Sequence, residues 1–164
     1  MSAGALLRAG LLDGVSVAVA GGEEAPIASA VRALTASLGA DVTGPGAGAV
    51  LVVDCGSLQA EHEDLVAASA AVWELTRAHA ERLIDAGEGG RVFYVCPDEE
   101  VAVAAYENLA RTLSIEWARR AITTAAIAPG AASGAADVAA LVAYLASPAG
   151  AYFSGCLLDL RGPG

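Results

Sequence analysis

The chain has 164 residues, of which 55% are apolar and 5% aromatic, and a formal net charge of −10. That length suits one domain, residues 1–164, around a single core built largely from alanine and other small side chains. The charge argues against nucleic acid as a partner, because phosphate neutralisation needs clustered basic residues. All nine basic residues are arginines, so no mechanism that needs a catalytic lysine is open to this chain.

No apolar run reaches the length of a membrane span. The opening MSAGALLRAGLLDG lacks a basic segment followed by a long apolar one, so no signal peptide is expected. Cys55, Cys96 and Cys156 are odd in number and far apart, which fits reduced thiols in a cytoplasmic protein.

VSVAVA (15–20) predicts a buried parallel strand running into Gly21-Gly22. Residues 27–38 predict a helix closed by Gly39, and GADVTG a short second strand. After PGAG, AVLVVDCG (49–56) reads as a buried strand. A helix is expected over about 62–86, with Leu65, Ala68, Val72, Leu75, His79 and Leu83 on one face. Trp73, Ala80 and Ile84 widen that face to roughly half the circumference, where a helix covering a sheet needs only ~100°. The excess points to a second partner surface.

Residues 91–96 predict the next strand, and Asp98 a cap for a helix over about 99–119, with Tyr106, Leu109, Leu113 and Trp117 on one side. ITTAAIAPG, a helix over 136–146 and a strand over 155–160 complete the chain. Alternating strands and helices predict an α/β fold, a parallel sheet with helices on both faces.

The stretches LLDGVSVAVAGG, LGADV, AVLVVDCG, LTRAHAERLIDAGEGGRVFYV, LARTLSIEWARRAITTAAIAPG and YLASPAGAYFSGCLLDLRG, in this order, resemble the short-chain dehydrogenase/reductase family along nearly the whole chain. The resemblance implies a Rossmann-like parallel sheet, here reduced, with the family's second helix, third strand and third helix missing. The family binds NAD(H) or NADP(H) and interconverts carbonyls and alcohols.

The family's functional residues do not carry over. Its turn, Thr-Gly-x-x-x-Gly-x-Gly, falls on Gly21, Gly22, Pro26 and Ala28, so only the first glycine is kept. Those glycines let backbone N–H groups reach a pyrophosphate, and Pro26 has no N–H to offer. Glu23 and Glu24 add negative charge beside the phosphate position. At about 5 Å and an effective dielectric of about 20, each charge pair costs about 3 kcal/mol. The alternative is a purely structural turn, since a proline starts helices well and glutamates suit the helix dipole.

The family's helix asparagine falls on Ala68, its serine at Cys96-Pro97, and its Tyr-x-x-x-Lys pair on Glu99 and Val103. Tyr94 and Tyr106 are followed four residues on by Asp98 and Ala110, so no shifted frame restores the pair. Neither a nicotinamide cofactor nor any other is therefore expected, and no metal site is expected either. Cys96 lies among Pro97, Asp98, Glu99 and Glu100, which would raise a thiol pKa. His62 has no second ligand one turn away. His79 is expected in a core or interface with a satisfied ring nitrogen.

In the family, helices matching 62–86 and 99–119 pack against their mates, and residues matching 136–160 form the other common interface. The resemblance therefore implies an oligomer interface through Val72, Trp73, Ala80, Tyr106, Leu109, Leu113, Trp117, Tyr152 and Leu158. The expected function is a non-catalytic subunit pairing with a catalytically complete relative, or with itself. The alternative is a small enzyme or ligand binder that uses the cleft without a nucleotide, with Asp54, Cys96 or Glu99 as acid–base groups.

Overall fold

The computed structural model describes residues 6–162. In chain order the elements are β1 (Ser16–Ala20), α1 (Pro26–Ser37), β2 (Asp41–Thr43), β3 (Val50–Asp54), α2 (Cys55–Ala60), α3 (Leu65–Ala86), β4 (Gly90–Val95), α4 (Glu100–Glu116), β5 (Ile122–Ala128), α5 (Ala135–Ala146) and β6 (Cys156–Asp159). The six strands form one sheet in the order β2-β1-β3-β4-β5-β6, with every neighbouring pair parallel. This is an α/β fold with a parallel sheet between helices, as the alternation of elements predicts, and of the reduced Rossmann-like form that the resemblance implies.

Alternation along the strands divides the core into two layers. Val17, Val19, Val52, Phe93 and Ile127 face α1 and α5, whereas Ala18, Leu51, Val53, Tyr94 and Ala126 face α3 and α4. Because helices cover both faces, all five residues of β3 are buried, which is why VLVVD is apolar without alternation until its last residue. Small side chains on α1 and α5, among them Ala28, Ala139 and Ala143, let the two helices pack side by side on their layer.

The connection from β2 to β3, residues 44–49, is only a loop, in keeping with the expectation that a helix, strand and helix are missing there. It passes the start of β1 closely. A Cβ on Gly48, whose φ is +82°, would lie 3.1 Å from the Ser16 carbonyl oxygen. The Ala49 N–H donates to the Ser16 carbonyl at 3.1 Å and to its hydroxyl at 2.9 Å, and Arg82 on α3 donates to the Gly48 carbonyl.

Two expected boundaries are corrected. The strand predicted over 49–56 ends at Asp54, whose carboxylate accepts the Ser57 N–H at 3.1 Å and so caps α2. The helix predicted from 62 starts at Leu65, where Asp64 accepts the Ala67 N–H at 2.8 Å. Asp98 does not cap α4; Glu99 holds the cap position, after a tight turn in which its N–H donates to the Pro97 carbonyl at 2.9 Å. No helix among the described residues is long and apolar enough to cross a membrane.

Candidate functional site

The carboxyl ends of β1 and β3 meet where ligands usually bind in open α/β sheets. The turn after β1 is closed upon itself there. Gly21 has φ +149°, and a Cβ on it would lie 2.9 Å from the Asp54 Cβ. The Gly22 N–H donates to the Ser57 hydroxyl at 2.8 Å. Arg32, one helical stretch onward in α1, donates to the carbonyls of Gly21 at 2.7 Å and of Gly22 and Val19 at 3.3 Å. Pro26 opens α1 at its first position. Glu23 and Glu24 are exposed and precede the helix, whose first turn holds no acidic residue.

Between this turn and α2 lies an open cleft of about 680 Å³ with mainly apolar walls. Asp54, 4% exposed, forms part of it. Burial raises its pKa, partly offset by N–H donors of Ser57, Ala28 and Gly56 and by the Arg32 charge. A dinucleotide pyrophosphate does not fit this donor set. The Gly22 amide is already committed to Ser57, Pro26 has none, and Glu23, Glu24, Asp54 and Glu61 surround the space.

The positions aligned with the family's catalytic set are scattered in environment. Ala68 and Val103 are core residues. Cys96 is buried, and its thiol is pushed up to about 12 by burial first, with Glu107 adding to it, rather than by the acidic residues next in sequence. Pro97 is half-buried, and Glu99 is exposed and accepts from the Gln59 amide at 3.0 Å. Of the three alternative acid–base candidates, Asp54, Cys96 and Glu99, only Asp54 lines the cleft.

In the core layer under α3 and α4, Tyr94 and Tyr106 stack with centroids 6.2 Å apart. The Tyr94 hydroxyl donates to Thr76 at 3.2 Å, while that of Tyr106 has no partner. His62 sits on the Leu58 carbonyl at 2.7 Å through Nδ1. His79 is buried; neither ring nitrogen makes a hydrogen bond of good geometry, and the Ala49 backbone is the polar group that favours its charged form. No group of three or more His, Cys, Asp and Glu that could hold a metal occurs among the described residues.

The residues expected at an interface separate into two sets. Val72, Ala80, Tyr106 and Leu113 are buried within the chain and form its own core, and Trp117 packs on Ala80, Leu83 and Ile122. The correction has a simple cause: an apolar helix face looks the same whether it meets the chain's own sheet or another subunit. Trp73 remains 39% exposed and, with Leu109, lines a groove of about 380 Å³ between α3 and α4. Val66, Val101 and Ile115 lie exposed on the same two helices. Leu158 packs partly against the core, and Tyr152 stands 93% exposed in a short turn before β6.

Two residues that organise the site escaped the sequence reading. Ser57 could have been found from Asp54-x-x-Ser57, a helix-start signal just after an apolar run. Arg32 carries no such signal, because its carbonyl partners lie 10 to 13 residues away.

No protein-family model and no curated protein sequence matches the chain. Solved structures do. A hydroxysteroid dehydrogenase from Escherichia coli superposes with TM-score 0.72 at 18% identity, over 94% of this chain and 99% of that one. BdcA (YjgI) from E. coli gives TM-score 0.68 at 18% identity, over 92% and 100%. This chain therefore shares its overall fold with these two proteins.

Proposed function

We propose that this protein is a non-catalytic, short-chain-dehydrogenase-like subunit that pairs through α3 and α4 with a catalytically complete relative. The observation that carries this reading is the exposed apolar surface of these helices: Trp73 and Leu109 line the groove between them, and Val66 77%, Val101 65% and Ile115 74% are exposed on the same two helices. Aromatic and aliphatic anchors of this kind dominate interface energetics. The absence of lysine and the burial of Ala68, Cys96 and Val103, three of the positions aligned with the catalytic set, support a binding role.

Native mass spectrometry of the tagged protein, purified gently from its own host, tests the reading. The expected result is a defined complex with a dehydrogenase-like chain that carries Tyr-x-x-x-Lys. That complex is lost in Trp73→Glu/Leu109→Glu while the variant's circular dichroism stays that of the parent. A stable monomer, indifferent to any such chain, overturns it.

A second reading is favoured by the cleft beside Asp54. In it the protein binds a small molecule without a nucleotide, because the space after β1 is open and apolar rather than filled by side chains.

A further inference from the structure

At the end of the sheet opposite the cleft, where the strands begin, lies a second cavity of about 450 Å³. Val15, Val50, Ala146 and Ala151 give it apolar wall, and among the described residues that line it Arg91 alone is charged. Strand register sets Arg91 between Val50 on β3 and Thr123 on β5. All three face the α5 side of the sheet, two residues before Val52, Phe93 and Ala125 of that core layer.

Arg91 uses only one of its nitrogens on the protein. Its Nη1 donates to the carbonyls of Leu145 at 2.7 Å and Ser147 at 2.6 Å, which closes the carboxyl end of α5. Nε and Nη2 form the edge of a guanidinium that takes a carboxylate side-on. They donate to no described residue, and neither is enclosed. No described carboxylate pairs with Arg91, and burial lowers its pKa with no neighbouring charge in opposition. A second observation points the same way. Thr123 is half-buried in the cavity wall, and its hydroxyl is without a partner. Turning that hydroxyl towards a bound oxygen breaks no hydrogen bond.

We propose that this cavity binds a small organic carboxylate, one carboxylate group on a short apolar body. Its oxygens accept from Nε and Nη2 of Arg91 and from the Thr123 hydroxyl, and its body lies along the apolar walls. One guanidinium edge and one hydroxyl match a planar monoanion better than a phosphate dianion. The net charge of −10 disfavours anions over the rest of the surface, so affinity for a carboxylate has to come from this local donor set. The inference goes beyond both readings above and depends on neither, because the cavity shares no lining residue with the cleft or with the groove between α3 and α4.

The test is an amide NMR titration of the full chain with n-butyrate and benzoate, against n-butanol, benzyl alcohol and inorganic phosphate. The expected result is saturable shifts centred on Val15, Val50, Arg91, Thr123 and Ala151. Each carboxylate should bind about 10-fold more tightly than its alcohol, and phosphate more weakly than benzoate. Thr123→Val keeps the shape of the side chain and should weaken carboxylate binding about 5-fold, leaving the alcohols unchanged. Arg91→Lys keeps the charge without the side-on edge and should weaken it about 10-fold. Ala151→Trp, at an exposed position, should fill the cavity and abolish all binding. Alcohols that bind as well as their carboxylates, or phosphate that binds as well as benzoate, would overturn the ligand class. Carboxylate binding unchanged in both Thr123→Val and Arg91→Lys, or no shift of these amides with any probe, would overturn the site.

Discussion

Titration of His79 should make the protein lose stability in mild acid. The residue is 1% exposed on α3, with neither ring nitrogen in a hydrogen bond of good geometry. Burial, reinforced by the Arg82 charge, lowers its pKa from the usual 6.5 to about 4, against a raising effect from the Ala49 backbone. Between these values the unfolded chain binds a proton that the folded chain excludes. The stability at stake is therefore complete above pH 6.5, is lost as the pH falls towards about 4, and changes no further below that. The full window corresponds to at most about 3 kcal/mol. His79→Leu conserves much of the volume and removes both the titration and the unpartnered nitrogens. Urea unfolding of parent and variant between about pH 7 and about pH 4.5 isolates the effect, because the carboxylates titrate alike in both. The variant should be more stable by about 1 kcal/mol at neutral pH, where a buried polar group without a partner has been removed. Its advantage should grow by about 2 kcal/mol at the acid end. A difference between the two proteins that does not change with pH would refute the reasoning.

Two further substitutions test the local geometry. Ser57→Ala should leave the Gly22 N–H without its acceptor, reduce unfolding free energy by about 1 kcal/mol, and speed hydrogen exchange at Gly22 measured by NMR. Gly48→Ala places a side chain at φ +82° and within 3.1 Å of the Ser16 carbonyl, and should destabilise by about 1–2 kcal/mol in chemical denaturation.

The strands were legible because a sheet covered on both faces demands continuous apolar runs, and VLVVD and FYV are such runs. The long helices were legible from periodicity, and Leu65, Ala68, Val72, Leu75, His79 and Leu83 do form the face of α3 that is buried or half-buried. What failed was the assignment of apolar surplus. Ala80 and Leu113 were read as belonging to a partner and are core. Periodicity measures how wide an apolar face is and says nothing about what lies against it. The short helix α2 was missed because six residues carry too little periodicity, although Asp54 marks its start.

The sequence by itself determined the α/β class, the alternation of strands with the longer helices and the absence of any lysine, since these depend on residue type and local pattern. It also determined that the turn after β1 has Pro26 and Ala28 where a dinucleotide turn has glycines, and carries glutamates. Only the tertiary structure decided what that turn does. It brings Ser57 from 35 residues away onto the Gly22 amide and points Arg32 at the turn's carbonyls. It leaves Asp54 beside an open apolar cleft while withdrawing Cys96 into the core. Such pairings follow from how a parallel sheet juxtaposes the ends of strands distant in sequence, and no local pattern encodes them.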